Sequence, residues 1–397
     1  MTVRIHLLRG YNFFYFAMFS VFFSFLPVYA AEQGVSSADV GSLMALGALV
    51  GVAAQPVWGM VSDRRRTVRG VLLLLLAISV GAGVLLYRTS DLALLYVAVV
   101  VMYFFFLPTD PLVESLNVQT TQRAGISFGS VRMFGALGYA VASYAAGAVL
   151  QAAGMKSLWL LFLACGVPAL ALCFTVGDVP VSGKPVAFRE LRGFFGRGVT
   201  IRFFLMILLI AVPHRMNDSF IGIYVQANGG GVNLVGDAWA VMTVTEVVFF
   251  AIIHRFIRQG SELRLIALAS ALYAVRFLLC VLVKDPVYVV GFQLFQGVTF
   301  VLFYSAAIGY LYRIVPEQWK STGQTMLAVC FFGVSGVVGS FIGGRILQGY
   351  GGATLYAVMT AVAAAGCIAA LAVDLADKKE AAAGGGSLSM FGEKSDS

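Results

Sequence analysis

Three ionisable residues, Asp110, Glu114 and Arg132, interrupt sequence that is otherwise apolar enough to lie in a lipid bilayer. Insertion scales put the cost of one charged side chain at the bilayer centre at about 3 kcal/mol. Asp110 and Glu114 are four residues apart, so they share one face of a helix. Glu114 and Arg132 lie at similar distances on either side of a polar connection, so we expect them to pair at one membrane depth. The pair either locks two helices or serves function, and we favour function because two carboxylates face one arginine.

A second polar cluster lies in the C-terminal half, where VPHRMNDSF contains His214, Arg215, Asn217 and Asp218. His214 and Asp218 are one helical turn apart, and Arg215 can reach Asp218 at i+3. A surface that faces lipid would not carry so many polar groups. We therefore expect this cluster to face the interior of a helix bundle.

Other polar residues are scattered through later apolar runs. Glu246 and Arg276 lie near mid-membrane on successive predicted spans and are expected to pair, while Gln293 and Gln296 share one face of the next span. Asn12, near the N-terminus, could face a cavity. Each of these residues could serve only to join two helices by a hydrogen bond. Together they predict a polar cavity between two bundles.

The elements that must position these residues are membrane-spanning helices. Of the 397 residues, 60% are hydrophobic and 12% are charged, which leaves too few polar groups to cover a soluble protein of this size. The apolar runs have the length of about 20 residues that crosses a bilayer as a helix, and they are too long for barrel strands. We predict an all-α polytopic membrane protein with twelve transmembrane helices, at 5–31, 37–62, 68–88, 92–118, 125–152, 156–177, 200–227, 234–257, 263–283, 287–315, 321–348 and 351–374.

The basic residues set the predicted topology. Counting residues near the span ends with the adjoining loops, 20 of the 27 Lys and Arg residues fall on the side of the N-terminus, 4 on the opposite side and 3 deep within spans. Because cytoplasmic loops are enriched in Lys and Arg, both termini are predicted to be cytoplasmic. The net charge of +8 is then a consequence of topology, and we expect no nucleic-acid partner.

An internal repeat divides the spans into two halves. Residues 143–154 (SYAAGAVLQAAG) align without gaps with residues 340–351 (SFIGGRILQGYG), and the pairs Ser143/Ser340 and Gly147/Gly344 are identical. The offset of 197 residues relates the fifth span to the eleventh, so the repeat unit is six spans. We predict an N-terminal six-helix bundle, a cytoplasmic linker, a C-terminal six-helix bundle and a flexible cytoplasmic tail, at 1–177, 178–199, 200–374 and 375–397.

The second span ends in GMVSDRRRTVRG, which places Gly59 one helical turn before Asp63 and follows it with Arg64. This pattern resembles the signature between the second and third spans of the major facilitator superfamily. Two parallel six-span repeats are also the architecture of that superfamily. The resemblance implies two six-helix bundles in the major facilitator fold, with Gly59, Asp63 and Arg64 in conformational gating.

Residues 128–139 (FGSVRMFGALGY) resemble the fifth-span signature of the lactose-permease-like and the nucleoside or phenylpropionate proton symporter branch. In lactose permease a fourth-span Glu pairs with a fifth-span Arg, and an aromatic ring stacks on the sugar. Glu114, Arg132 and Tyr139 match these roles. Glu246 and Arg276 match the carboxylate and the arginine of that branch's eighth and ninth spans.

This chain departs from that branch at the tenth-span His-x-x-Glu proton relay, where it has Gln293 and Gln296. Glutamine carries no proton at physiological pH. Either the proton site has moved, or transport is not proton-coupled. The expected substrate-binding residues are Glu114, Arg132, Tyr139, Asn12, Gln293 and Gln296. The expected proton-coupling residues are Asp110, His214, Asp218, Glu246 and Arg276.

The resemblance predicts a secondary active transporter that works by alternating access. Its cargo would be a small polar or aromatic solute of the sugar, nucleoside or organic acid class, moved by proton-coupled symport. One alternative is an exporter of drugs, lipids or metabolites, which the 32 phenylalanines suit, although the fifth span lacks the Gly-Pro element of major facilitator antiporters. A second alternative is a non-transporting membrane sensor or scaffold. The sequence has no long soluble domain for signalling, which argues against it.

An enzyme is not expected, because no nucleophile–base pair, metal-ligand spacing or phosphate-binding loop is present. The five cysteines are odd in number and form no CxxC pair, which indicates core residues. We predict no cofactor and no metal. The expected partners are a small solute, H+ and the lipid bilayer, for a monomer that crosses the cytoplasmic (inner) membrane several times.

Overall fold

The computed structural model describes residues 5–89, 91–179, 198–255 and 260–383. Within these ranges the regular structure is helical. The α-helices are α1 (Ile5–Glu32), α2 (Ser37–Arg65), α3 (Val68–Leu86), α4 (Leu92–Phe105), α5 (Thr109–Ala124), α6 (Gly129–Ala153), α7 (Leu158–Thr175), α8 (Gly198–Ala227), α9 (Val232–Ile252), α10 (Glu262–Leu282), α11 (Pro286–Phe292), α12 (Phe295–Ile314), α13 (Lys320–Ala328) and α14 (Ser335–Ala383). A π-helix (Val329–Val334) joins α13 to α14.

Eleven stretches of the described residues are long and apolar enough to cross a membrane. Two of them contain breaks, between α4 and α5 and between α11 and α12, where the sequence predicted single spans. The last stretch, Thr322–Lys379, has 58 residues. As a straight helix it would be about 87 Å long, nearly three times the bilayer core. It is broken at Gly351, whose φ of 81° and ψ of 171° are not helical.

The described residues cover only part of the predicted linker (178–199) and of the predicted tail (375–397). Most of the expected linker lies outside the described residues, as do residues 384–397 of the expected tail. The part of the tail that is described is helical, because α14 continues to Ala383. Asp374 and Asp377 on this extension contact Arg264 and Arg313, respectively, so the helix end is held against α10 and α12.

The end of the sixth predicted span is fastened to the start of α3. Asp178 accepts hydrogen bonds from the Thr67 hydroxyl and from the backbone N–H groups of Val68 and Arg69. Partial burial raises the pKa of the Asp178 carboxyl, but these hydrogen bonds outweigh it and hold the pKa below its ordinary value. Asp178 is therefore an ionised cap on the N-terminus of α3.

Two sets of helices form the molecule. In the first half α1 packs along α6 and α7, and in the second half α8 and α10 pack along α14. The halves meet where α2 crosses α14 and where α6 crosses α9. Each crossing has a pair of glycines at a point of close backbone approach.

The crossings have nearly identical geometry. A Cβ atom added to Gly41 would lie 2.9 Å from Cα of Gly344, and one added to Gly236 would lie 2.9 Å from Cα of Gly147. Only glycine permits such an approach of two helix backbones. We call these two contacts, Gly41–Gly344 and Gly147–Gly236, the glycine seal.

The sequence repeat has a counterpart at the seal. Ser143 bonds the Ser20 hydroxyl on α1 at 2.6 Å, and Ser340 bonds the Ser219 hydroxyl on α8 at 2.8 Å. Gly147 and Gly344, four residues further on in each repeat, supply one glycine of each seal contact. The repeated residues therefore carry out the same packing task in the two halves.

Candidate functional site

Helix breaks at corresponding places in the two halves mark the centre of the molecule. The fourth predicted span turns at residues 106–108, and the tenth turns at 293–294. Proline has no backbone N–H to donate, and it disfavours the helical conformation in the residue before it. Pro108 therefore separates α4 from α5 and lies directly before the first residue of α5. Interrupted helices at equivalent positions are the usual neighbourhood of a solute site in transporters built from repeats. Pro108 and Pro111, on either side of Asp110, are the residues from which the first break could have been predicted.

A cavity of about 430 Å³ lies between the two halves. Asp110 and Tyr139 line it from the first half, and Arg215, Asp218 and Trp239 line it from the second. The Tyr139 and Trp239 rings face each other across the two halves with centroids 6.1 Å apart. A space of this size with convergent polar groups fits a small solute.

The cavity begins just inside the glycine seal. Its wall on α2 runs from Met44 to Gln55, and its wall on the eleventh span runs from Ser340 back to Thr325. Both walls lead away from the seal, toward the end of the molecule where α2 finishes at Arg65. The cavity therefore extends from the seal toward that end of the molecule.

The predicted pair of Glu114 and Arg132 is present. Arg132 Nε donates to Glu114 Oε1 at 2.6 Å, and the guanidinium lies 4.1 Å from the centre of the Phe16 ring. Gly125, which ends α5 with a φ of 65°, makes the short connection that sets α5 beside α6. Neither residue of the pair lies in the wall of the 430 Å³ cavity.

Asn12 is placed differently from what the sequence suggested. It is fully buried and exchanges two side-chain hydrogen bonds with Asn117, at 2.8 and 2.7 Å. Asn12 therefore does not line the cavity. The two amides satisfy each other and join α1 to α5.

In the second half, Arg215 and His214 both contact Asp218. Arg215 Nη1 donates to Asp218 Oδ2 at 2.6 Å, and His214 Nε2 lies 3.4 Å from the same oxygen. His214 Nδ1 is near the Tyr273 hydroxyl at 2.9 Å and the Gln296 amide nitrogen at 3.5 Å. Since an amide N–H can only donate, Nδ1 is the acceptor nitrogen and Nε2 carries the proton that points at Asp218.

Glu246 and Arg276 do not form the direct pair that the sequence suggested, because Gln296 lies between them. Arg276, which is fully buried, donates to the side-chain oxygens of Gln293 and Gln296. The Gln296 amide nitrogen donates to Glu246 Oε1 at 3.1 Å. Asn217 extends this network, since it donates to Gln293 at 3.4 Å. Gln296 therefore connects the buried Arg276 to the half-buried Glu246, and neither glutamine lines the cavity.

The residues expected to act in gating lie at the far end of α2. A Cβ on Gly59 would meet no atom within 4 Å, and Asp63 and Arg64 are exposed. Arg66 ends α2 in the left-handed conformation, with a φ of 52°. In this conformation Gly59 makes no close helix contact, which contrasts with the contacts of Gly41.

Within the described ranges, no group of three or more His, Cys, Asp or Glu side chains is arranged to hold a metal ion.

Comparison with known sequences places the chain in a family. The family model described as "MFS_1 like family" matches residues 5–358. The chain belongs to this major facilitator family. Among curated members, it is 26% identical over 348 residues to an uncharacterized transporter, YwbF, of Bacillus subtilis, covering 86% of each chain. It is 27% identical over 341 residues to the maltose permease of Geobacillus stearothermophilus, covering 84% of this chain and 86% of the permease.

A third relative is the probable 3-phenylpropionic acid transporter of Escherichia coli, 23% identical over 364 residues and matched over 89% of this chain and 93% of its own length. Among solved structures, nucleoside transporter NupG superposes with a TM-score of 0.79 at 15% identity, over 99% of this chain and 100% of NupG. A peptide transporter of the POT family superposes with a TM-score of 0.72 at 12% identity, over 94% and 96% of the two chains. This MFS protein therefore has the major facilitator fold and is a secondary transporter of small solutes in the membrane.

Sequence reasoning missed two features of the cavity wall. Trp239 was not singled out, because a lone tryptophan in an apolar span is typical of a lipid-facing residue. The helix breaks lie beside Pro108 and Asp110 in one run and at Gln293 in the other, but both runs are apolar enough over their full length to predict single spans.

Proposed function

We propose that this protein is a proton-coupled symporter that moves a small polar or aromatic solute across the cytoplasmic membrane by alternating access. The observation that carries the proposal is the cavity between the two halves, with Asp110 and Tyr139 on one wall and Arg215, Asp218 and Trp239 on the other. A solute bound there contacts both halves, so their relative rocking changes the side from which it is reached. The maltose permease and phenylpropionic acid transporter relatives support a solute of this size.

The proposed topology has twelve spans, because the break at Gly351 divides the last 58-residue stretch into two crossings. Both termini then lie with the arginine-rich loops in the cytoplasm. The glycine seal faces outward and the cavity leads inward, so this conformation is inward-facing. The moving bodies are residues 1–177 and 200–374, in a protein that functions as a monomer.

Glu246 is the proposed coupling carboxylate. Its hydrogen-bond partner is the neutral Gln296 amide, and no cation lies within 4 Å of it among the described residues. Glu114 and Asp218 are each held by an arginine at 2.6 Å. Of these three carboxylates, the half-buried Glu246 is the one without a cationic partner, which makes it the best placed of the three to take up and release a proton. Asp218, linked to Glu246 through His214 and Gln296, would report proton binding to the cavity.

The test is uptake into proteoliposomes with and without an inward proton gradient, for labelled sugars, nucleosides, aromatic acids and aromatic amines. The wild-type protein is expected to accumulate its solute only with the gradient. Glu246→Gln is expected to abolish accumulation while preserving exchange of internal for external solute. Glu317→Gln is the matched control, because Glu317 is 87% exposed and lies outside the site. Gradient-driven accumulation at the wild-type level in Glu246→Gln would overturn this assignment.

A further inference from the structure

The positive and negative charges of the side chains in the cavity wall do not cancel. Asp110, Arg215 and Asp218 are the three that line it. Arg215 and Asp218 neutralise each other through the 2.6 Å contact of Nη1 with Oδ2. Asp110 has neither a side-chain hydrogen bond nor an ion pair with any described residue. The wall therefore carries one uncompensated carboxylate that faces the space where the solute binds.

The nearby cations are already engaged. Arg132 is one helix away from Asp110, but its Nε is bound to Glu114 at 2.6 Å and its guanidinium covers Phe16. Arg276 is fully buried and donates to two glutamine oxygens outside the wall. Neutralising Asp110 is thus left to a group that enters the cavity.

Asp110 also changes what the helix break can bind. The N-terminus of α5, which begins at Thr109, is a positive helix end at the centre of the molecule. In other transporters such an end receives the anionic group of the solute. Here Asp110 lies in the first turn of α5, so the protein supplies this anion itself. An anionic solute would meet a carboxylate at this position instead of a free helix end.

The remaining wall is suited to a flat apolar body. The rings that line it belong to Phe19, Phe23, Tyr103, Tyr139, Trp239 and Phe332. Aromatic faces attract cations as well as apolar groups. Several hydroxyls are already in use, since Ser219 bonds Ser340 at 2.8 Å and Tyr139 bonds Ser24 at 3.1 Å. Few polar groups are left for the many hydroxyls of a sugar, which would lose their hydrogen bonds to water.

We propose that the solute is an aromatic amine, whose protonated nitrogen binds the Asp110 carboxylate while its ring packs against Tyr139 and Trp239. This inference rests on the proposed transport function and narrows its substrate class to organic cations with a ring. The Arg215–Asp218 pair then closes the opposite side of the site, without a net charge that would repel the amine.

The test uses three ligands that share one phenylethyl body and differ only in the charge of the end group: phenylethylamine, phenylethanol and phenylpropionate. Their dissociation constants for the purified full-length protein are measured at pH 7 by tryptophan fluorescence and checked by thermal shift. The amine is expected to bind at least about tenfold more tightly than the carboxylate, a difference of about 1.4 kcal/mol. In Asp110→Asn this preference is expected to fall to within about twofold.

Two further variants keep the test decisive. Asp91→Asn is the matched control, because Asp91 is an exposed N-cap of α4 and asparagine caps as well as aspartate does. Trp239→Leu is expected to weaken all three ligands while retaining the preference for the amine. If Asp110→Asn fails to fold, the order of the three wild-type affinities still decides the question.

Equal or tighter binding of phenylpropionate, or an unchanged preference in Asp110→Asn, would overturn the inference while leaving the transport proposal standing. So would gradient-driven uptake of a sugar or nucleoside by a protein that binds none of the three ligands. By contrast, a protein that accumulates no solute of any class in proteoliposomes contradicts the transport proposal itself.

Discussion

Adding one methyl group at the glycine seal is expected to shift the protein away from the conformation described above. A Cβ at Gly41 would lie 2.3 Å from the Ser340 carbonyl oxygen, and ordinary contacts begin at 3.4 Å. The α2 and α14 backbones must therefore separate by about 1 Å in Gly41→Ala. Overpacking of this kind costs about 1–3 kcal/mol, which is about a 5- to 150-fold change in the ratio of seal-closed to seal-open molecules.

The assay is labelling of a single cysteine placed at Ala48, which lines the cavity on the inner side of the seal. The five native cysteines are first replaced, and an impermeant maleimide is added from the outside of intact cells. The labelling rate is expected to rise by the same factor as the population of seal-open molecules. Because Gly236 has the same geometry against Ser143 and Gly147, Gly236→Ala should raise the rate to a similar degree.

Gly349 supplies the control, since it follows Gly344 on the same helix and an added Cβ would meet no atom within 4 Å. Gly349→Ala should label at the parental rate. Parental labelling rates in both Gly41→Ala and Gly236→Ala, in protein that remains folded, would refute the view that these contacts close the path.

Three predictions concern stability and are checked by thermal unfolding in detergent. Asn12→Ala leaves the buried Asn117 amide unpaired and should destabilise the protein by about 1–3 kcal/mol, with a smaller loss in the double Ala variant; additive losses would argue against a paired interaction. Asp178→Ala should lower Tm at pH 7. Folding lowers the pKa of Asp178, so its contribution to stability is present above the ordinary carboxyl pKa and disappears as the pH falls through the lowered pKa. The difference in Tm between the wild type and Asp178→Ala should therefore disappear in acid. Arg313→Ala removes the ion pair of the buried Glu262; because the Arg313 side chain is 40% exposed, the loss should be about 1–3 kcal/mol, and adding Glu262→Gln should restore part of it.

Some of the site could be predicted because helix geometry fixes it. The contacts of Asp218 with His214 and Arg215 follow from spacings of one turn, and the Glu114–Arg132 pair follows from a short connection between antiparallel helices. These predictions need only local structure and a shared membrane depth. They succeed because both partners belong to one helix or to neighbouring helices in the chain.

Contacts that depend on helix rotation could not be predicted. Asn12 turns toward Asn117, and Gln296 lies between Glu246 and Arg276, although the sequence suggested a cavity position and a direct ion pair. Lipid tails are as apolar as the side chains between packed helices, so both faces of a span can carry the same residue types. The order of apolar residues along a span therefore does not reveal which face turns inward.

The two halves of this protein share the packing at the glycine seal but differ in their chemistry. Ser143 and Ser340 begin equivalent packing motifs, and each leads to one contact of the glycine seal. Because both contacts join the same two halves, a movement that separates the halves at one crossing is expected to affect the other as well. The central charges follow no such symmetry, since Glu246 and Arg276 in the second half are joined by amides whereas Glu114 and Arg132 in the first are joined directly. Substitutions at the seal should therefore change the ratio of seal-closed to seal-open molecules whatever the solute, whereas substitutions at Asp110 or Glu246 should change which solute or ion is bound.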